Sequence, residues 1–166
     1  MMRNFFCLAA VVAAMPLGAV AEGLKFSPRS VESCLDQGGW RDCIGAAANA
    51  CMEATEGGYA TPVIAGCLSA EHEWWDSELN ARYSELQDRA RDIDAEPAIE
   101  GMPPRPSEAE ALREMQRAWI AYRDATCRYE ELQWWGGTGA SGAYIGCLMR
   151  LTGEQALTLR SYLAEG

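Results

Sequence analysis

The sequence predicts an all-α fold, a disulfide-stapled helical bundle built on a long antiparallel helical hairpin. Three observations lead to this prediction. Apolar residues recur at steps of three, four and seven over two long stretches, as in helices that bury one face. A proline-dense segment separates the two stretches and would interrupt a helix. The chain has no stretch in which apolar and polar residues alternate as they do in strands.

The N-terminus has the pattern of an export signal. Arg3 precedes a nearly unbroken apolar run over residues 5–17, and residues 19–21 give the small-x-small pattern that signal peptidase reads. A membrane anchor is the alternative, but this run is short beside the ~20 residues that a membrane span needs. We therefore expect residues 1–21 to be a cleaved signal peptide, with no membrane insertion after cleavage.

Cleavage would leave a strongly acidic chain. The sequence has 14 basic and 24 acidic residues, and the loss of Arg3 leaves 13 minus 24, a formal charge of −11. Such a chain repels nucleic acid and anionic lipid, so neither is expected as a partner, and it is steered towards cationic proteins. The acidity also has a simpler explanation, since net charge alone keeps a protein soluble.

Cysteine usage indicates three disulfides. Six cysteines follow the predicted cleavage site: Cys34, Cys43, Cys51, Cys67, Cys127 and Cys147. An even number in an exported chain predicts a disulfide framework, and six cysteines allow 15 connectivities. Metal binding is the alternative, but the chain has no CxxC pair and only one histidine, His72, whereas zinc sites use close pairs of Cys or His. We expect no metal and no cofactor.

The first part of the mature chain, residues 22–50, is expected to be an N-terminal extension with short helices. It should begin as a loose polar segment up to residue 33. Cys43, Ala47 and Cys51 then fall at the spacing of one helical face, which predicts a helix over residues 40–56. A glycine pair follows this helix and should end it.

A long helix is predicted to begin at Thr61-Pro62, because proline is favoured at the first helical position after a capping residue. It should extend to about Asp92. Its apolar stripe comprises Leu68, Trp75, Leu79, Tyr83, Leu86, Ala90 and Ile93. Acidic residues lie mostly off this stripe and are expected on a solvated face: Glu71, Glu73, Asp76, Glu78 and Glu85.

Residues 94–106 contain four prolines and a glycine and should form the loop of the helical hairpin. Ser107 and Glu110 then make a capping box, which predicts a second long helix to about Trp134. Its apolar face comprises Leu112, Met115, Trp119, Tyr122, Thr126 and Tyr129. A glycine-rich loop over residues 136–142 follows, and the last helix is expected from Tyr144 to near Leu163.

The predicted loops favour one disulfide pairing. Cys127 and Cys147 flank the glycine-rich loop, and closing a loop of ~20 residues stabilises by about 3 kcal/mol in the chain-entropy view. Cys51 and Cys67 flank the glycine turn between the first helices in the same way. Cys34 and Cys43 then remain as the third pair. The sequence alone does not select among the 15 connectivities.

Two motifs carry a family resemblance. They read DSELNARY over residues 76–83 and QRAWIAYRDATC over residues 116–127, and the glycine pair at 136–137 and Cys147 follow. This series resembles the lysozyme inhibitor LprI-like N-terminal domain family, formerly a family of unknown function, over about residues 51–163. We therefore assign residues 51–166 to an LprI-like helical domain.

The resemblance implies a bacterial envelope protein, periplasmic or secreted, with a helical fold. It also implies two cysteine pairs, which fall on Cys51–Cys67 and Cys127–Cys147. The chain departs from the family pattern in two places. Gln155 stands where the family usually has an arginine, and Cys34 and Cys43 are an addition.

The polar motif residues are interpreted mainly as a structural network, formed with aromatic neighbours on the packed faces. Arg123 is expected to bond Asp76 or Asp124, and Asn80 to bond Gln116 across the hairpin, which would lock the helix register. A binding site is the alternative. The network set is Asp76, Asn80, Tyr83, Gln116, Trp119, Tyr122, Arg123 and Asp124.

The glycine-rich loop provides the candidate partner-binding residues. Two adjacent tryptophans cannot both point into a core from one helix, and exposed aromatics beside glycines are typical of recognition surfaces. Tight turning with the tryptophans packed over the disulfide is the alternative. The candidate set is Trp134, Trp135, Gly136, Gly137, Thr138, Glu130 and Glu131.

We expect a protein that binds and blocks a cationic muramidase through an acidic and aromatic surface, as the resemblance implies. The alternative is a periplasmic structural or interaction module with a non-lysozyme partner. An enzyme is not expected, because paired cysteines leave no thiol nucleophile and His72 has no identifiable Ser or Cys partner. No catalytic residue is assigned.

Overall fold

The computed structural model describes residues 23–165, so the predicted signal peptide lies outside the described residues. Every regular element in this range is helical, which confirms the all-α prediction. In chain order the elements are α1 (Arg29–Asp36), a short 3₁₀ helix (Arg41–Cys43), α2 (Ala46–Ala54), α3 (Thr61–Asp94), α4 (Glu108–Leu132) and α5 (Ala140–Ala164).

The three long helices form the bundle. α3 and α4 make the predicted hairpin across the proline-rich loop, and α5 turns back from α4 to run parallel to α3. Residues of α3 approach glycines of α5 in the same order along both helices: Ile64 at Gly142, Leu68 at Gly146 and Trp75 at Gly153. α5 packs on α3 more extensively than α4 does, so the α3–α5 pair encloses most of the core.

The core follows the stripe predicted for α3. Trp75, Leu79 and Leu86 are buried and share one apolar cluster with Leu157 and Leu159 of α5. A smaller cluster surrounds the disulfide between α4 and α5. Burial of large apolar side chains on both sides of one interface is the main stabilising term for such a bundle.

The N-terminal part departs from expectation in two places. The segment expected to be loose contains α1, whose Val31 is fully buried in the core. The helix expected over residues 40–56 is two pieces, because Gly45 between the 3₁₀ helix and α2 has φ +97°, a left-handed conformation that interrupts a right-handed helix.

Three disulfides staple the fold. They join Cys34 to Cys43, Cys51 to Cys67 and Cys127 to Cys147, with sulfur–sulfur distances between 2.03 and 2.09 Å. Cys51–Cys67 and Cys127–Cys147 are the pairs expected from the loops, and Cys34–Cys43 is the pair expected to remain. All six cysteines in the described range are therefore bonded, which leaves no free thiol there.

A carboxylate at the end of α3 is hydrogen-bonded to the start of α4, across the proline-rich loop. Ser107 caps the Glu110 amide, as the capping box requires, with oxygen and nitrogen 3.1 Å apart. Asp94 of α3 adds three further bonds, because its carboxylate accepts from the Ser107 hydroxyl and from the amides of Glu108 and Ala109 at 2.7–3.1 Å. These bonds, the Ser107 hydroxyl first, lower the pKa of Asp94. Asp94 thereby closes the hairpin at this end.

Candidate partner-binding surface

The connection from α4 to α5, residues 133–139 and here called the Trp loop, is a series of tight turns. α4 ends at Leu132, two residues before the predicted end, and successive amides bond carbonyls three residues back up to Trp135. Gly136 then has φ +77°, and the Gly137 amide donates to the Trp134 carbonyl at 2.8 Å. Glycine at 136 is needed because other residues rarely adopt that conformation.

α5 begins at Ala140, four residues before the start expected from the sequence. The Ser141-Gly142 pair was expected in the loop, yet it is helical, and Gly142 lies beside Ile64 of α3. The Trp loop is consequently shorter than predicted and is held closely between two helix ends.

The two tryptophans of the loop have different environments. Trp134 is half-exposed, and its ring lies over Gly139 so closely that a Cβ there would be 2.6 Å from the ring. Trp135 is 87% exposed. It borders a shallow surface groove with Leu132, Gly136 and Ala140. One tryptophan therefore packs the loop, and the other presents its ring to solvent.

The two acidic candidates near the loop are already paired with arginines. Glu130 accepts from Arg150 of α5 at 2.6 Å, and Glu131 lies 3.4 Å from Arg128 one turn earlier on α4. Their charges are therefore largely compensated within the protein. Gly137 and Thr138 are exposed at the tip of the loop.

Directly below the Trp loop, the Cys127–Cys147 disulfide joins the ends of α4 and α5. Both sulfurs belong to residues that are at most 2% exposed, and Leu151 packs with them. A cross-link beneath a short loop limits the range of conformations the loop can adopt. The exposed tryptophan is therefore presented from a stiff base.

A further exposed aromatic residue, Tyr59, was not predicted as part of a surface. It lies in the turn between α2 and α3, residues 55–60 and here called the Tyr59 turn, and it is 81% exposed. The available signal was an isolated aromatic residue immediately after the glycine pair at 57–58. That pair was interpreted as the end of a helix and as the turn between Cys51 and Cys67, with no role given to Tyr59.

The predicted polar network forms with partly different partners. Arg123 bonds Asp124 at 2.9 Å and lies over the Trp119 ring, 5.0 Å from its centre. Asn80 bonds Asp76 within α3 at 2.9 Å. The expected bond from Asn80 across to α4 is therefore wrong.

Gln116 bonds Gln155 instead of Asn80. The Gln155 amide nitrogen donates to the Gln116 oxygen at 3.1 Å, and both side chains are buried. Position 155, where the family usually has an arginine, thus holds a neutral partner for a motif residue on α4. The α4–α5 contact replaces the α3–α4 contact expected from the sequence.

Tyr122 is also placed differently from its prediction. It was assigned to the packed face of α4 but is 59% exposed, as is Tyr129 one heptad later at 65%. Trp119 and Tyr83 are partly buried against the core. The buried face of α4 runs instead through Ala109, Gln116 and Cys127, because α4 meets α5 as well as α3.

Glu71 was expected on the solvated face of α3 and is completely buried. Its two carboxylate oxygens accept from the amides of Gly45 and Ala48, each at 2.6 Å, and from the indole nitrogen of Trp75 at 3.0 Å. The first α2 amides have no intrahelical acceptor, and the positive end of the helix dipole favours a carboxylate there. Glu71 therefore fixes α2 on α3.

The one histidine lies inward on α3. Burial lowers the pKa of His72, and its Nε2 atom has no hydrogen-bond partner within residues 23–165. In that same range one cluster has metal-ligand residue types, Cys34, Asp42 and Cys43, but the two sulfurs are bonded to each other. A disulfide offers no thiolate ligand.

Comparisons with known proteins identify one family and two relatives. The family Lysozyme inhibitor LprI matches residues 51–159. An uncharacterized 17.7 kDa protein in the puhA 5' region of Rhodobacter capsulatus is 28% identical over 122 residues, 72% of this chain and 73% of that protein. An uncharacterized protein of Rhizobium meliloti (strain 1021) is 29% identical over 102 residues, 58% of this chain and 69% of that protein.

No solved structure matches the chain. Between residues 23 and 165, none of the helices is both long enough and apolar enough to cross a membrane.

Proposed function

The chain belongs to the lysozyme inhibitor LprI family, and we propose that it is an exported protein that binds a cationic muramidase and blocks its cleft. The family supplies the class of partner. Three disulfides support a site of action outside the cytoplasm, since such bonds persist in oxidising compartments. In this proposal residues 1–21 are removed on export and the protein acts in the periplasm or medium.

Net charge supports a cationic partner. The chain without Arg3 carries a formal charge of −11, and many muramidases of the lysozyme type are strongly cationic. Opposite net charges raise the rate of encounter and make it fall with ionic strength. This long-range attraction favours association but does not choose the contact surface.

The single observation that supports the contact surface is the exposed ring of Trp135. A tryptophan buries about 150–250 Å² in an interface, which corresponds to about 4–6 kcal/mol of gross burial at about 25 cal/mol per Å². Tryptophan is among the residues whose truncation most often weakens binding strongly. The stiff base below the Trp loop reduces the entropy lost on docking.

In the proposed complex the Trp loop occupies the muramidase cleft, where two carboxyl groups cleave the glycosidic bond. Gly136, Gly137 and Thr138 form the narrow tip, and Glu130 and Glu131 lie behind it. The inhibitor performs no chemistry in this proposal. It acts by excluding the glycan chain from the cleft.

The test is lysis of a cell-wall suspension by chicken-type lysozyme, with and without the purified, oxidised protein lacking residues 1–21. We expect inhibition that weakens with salt, and a loss of potency of about 30-fold or more for Trp135→Ala, the fold-change of a binding hot spot. Trp40→Ala is the matched control, because Trp40 is 42% exposed and lies outside the Trp loop. Unchanged lysis at a large molar excess would reject the inhibitor function.

A further inference from the structure

The Tyr59 turn and the Trp loop lie at the same end of the bundle. The Tyr59 turn immediately precedes α3, and the Trp loop immediately precedes α5. Because α3 and α5 run parallel, their first turns are neighbours, as the 3.9 Å approach of Ile64 to a Cβ at Gly142 demonstrates. The most exposed tyrosine and the most exposed tryptophan of the described chain therefore lie on neighbouring connections at this end.

The backbone of the Tyr59 turn is closely fixed. Gly57 has φ +70°, and the Ala60 amide donates to the Gly57 carbonyl at 2.7 Å. A Cβ at Gly58 would lie 1.8 Å from the Met52 carbonyl oxygen, so only glycine fits there. Tyr59 thus projects from a turn with one defined path and not from a mobile tip.

Uncompensated negative charge at this end lies beside Tyr59 and not beside the tryptophans. Glu53 and Glu56 are exposed, and within residues 23–165 no basic group lies within 4.0 Å of either carboxylate. Lys25 runs alongside, since its amide donates to the Thr55 hydroxyl at 3.0 Å. Glu53 at the end of α2, Glu56 in the turn and Lys25 together carry a formal charge of −1.

Each of the two turns has a disulfide directly below it. Cys67 lies six residues into α3 and Cys147 seven residues into α5, which places the cross-links about 9–10 Å below the helix ends at 1.5 Å per residue. Cys51–Cys67 closes the Tyr59 turn, and Cys127–Cys147 closes the Trp loop. Each exposed aromatic residue is therefore held above its own cross-linked pair of helices, α2–α3 for Tyr59 and α4–α5 for Trp135.

We propose that the Tyr59 turn is the second half of the binding surface, and that it recognises the basic rim of the same partner whose cleft receives Trp135. Tyr59 supplies a second aromatic anchor, and Glu53 and Glu56 supply the acidic contact that the arginine-paired Glu130 and Glu131 cannot. This inference rests on the proposed function, because it assumes a cationic protein partner. The acidic residues at the Tyr59 turn mainly attract the cationic partner, and the Trp loop fills its cleft.

The test measures association and dissociation rates with chicken-type lysozyme as the probe. Glu53→Lys/Glu56→Lys should slow association about 10-fold at low salt and flatten its salt dependence. Asp92→Lys/Glu100→Lys makes the same change in net charge near the opposite end of the bundle, and should slow association less than about 3-fold. Far-UV circular dichroism and a thiol titration verify that each variant is folded and oxidised.

A second variant tests the aromatic anchor. Tyr59→Ala should accelerate dissociation about 10-fold or more, because truncating an interface aromatic acts mainly on the lifetime of the complex. Lysozyme binding that depends on Trp135 but is unchanged by both changes in the Tyr59 turn would overturn this inference and leave the proposed function intact. No binding of lysozyme by the unmodified protein would overturn both.

Discussion

Replacement of Glu71 should show how the small N-terminal helix is attached to the bundle. Glu71→Ala removes the acceptor for the Gly45 and Ala48 amides and for the Trp75 indole. Because the carboxylate is completely buried, bulk water does not reach these three donors to accept their hydrogen bonds in its place. Glu71→Gln keeps the volume of the side chain but exchanges one acceptor oxygen for a donor.

The expected magnitude follows from the number of donors. Each buried donor left without an acceptor costs about 1–3 kcal/mol, so three donors place the loss for Glu71→Ala at about 3 kcal/mol or more. For Glu71→Gln, the one backbone amide that meets the new NH₂ group sets the loss at about 1–3 kcal/mol. Total stabilities of domains are about 5–15 kcal/mol, so both losses are measurable.

The assay is urea unfolding of the oxidised protein followed by far-UV circular dichroism. Glu73→Gln is the control, because Glu73 is exposed on the same helix and its change should alter the free energy of unfolding by less than about 0.5 kcal/mol. The free energy of unfolding should be highest for the Glu73→Gln control, lower for Glu71→Gln and lowest for Glu71→Ala. If the free energy of unfolding of Glu71→Gln is within about 0.5 kcal/mol of that of the unmodified protein, the carboxylate does not hold α2 in place.

Three further predictions concern the packing of α5, its polar contact with α4 and the closure of the hairpin. Gly153→Ala should lower the free energy of unfolding by up to about 2 kcal/mol, because the new Cβ would lie 3.0 Å from Ile44 and the overpacking exceeds the gain in helix propensity. Gly146→Ala should raise the free energy of unfolding by about 0.5–1 kcal/mol, because its Cβ would lie 3.8 Å from the nearest side chain. The same urea assay measures both. Gln116→Met or Gln155→Met alone should cost about 1–3 kcal/mol by orphaning a buried amide, and the double variant less than either, which a double-mutant cycle measures. The pKa of Asp94 is lowered in the folded protein, so its contribution to stability is present above the ordinary Asp pKa and is lost as pH falls through the lowered folded value. Asp94→Asn should therefore reduce the loss of melting temperature at acid pH, which thermal melts at a series of pH values measure.

The parts of the fold that depend on local signals could be predicted from the sequence. The start of α3 at a threonine–proline pair, the start of α4 at Ser107 and the proline-rich loop follow from capping and from the geometry of proline. The three long helices followed from their apolar spacing. The loops favoured two of the three disulfide pairs, Cys51–Cys67 and Cys127–Cys147.

The parts that depend on contacts distant in sequence were not predictable in this way. Glu71 belongs by spacing to a row of acidic residues, and its burial follows only from the arrival of the α2 amides. α5 begins earlier than expected, at Ala140, and its first turn lies beside α3 at Gly142, a neighbour distant in sequence. Tyr122 was assigned to the packed face from its spacing along α4 alone, whereas the buried face is set by packing against both α3 and α5.

Only the part of the candidate surface that is continuous in sequence could be predicted. The tryptophan pair and its glycines are adjacent in sequence, so the Trp loop was identified as one segment. Tyr59 is distant in sequence and joins this end of the bundle only through the parallel packing of α3 and α5. The pairing of Glu130 with Arg150 likewise required the α4–α5 contact.

Backbone hydrogen exchange of the oxidised protein, alone and with chicken-type lysozyme in excess, tests the central claim most directly, because it reports both binding and its location. We expect slower exchange in the Trp loop and in the Tyr59 turn when lysozyme is present, and unchanged exchange in the proline-rich loop over residues 95–107 at the opposite end. Protection at the proline-rich loop with none in the Trp loop, or no protection anywhere in the chain, would contradict it.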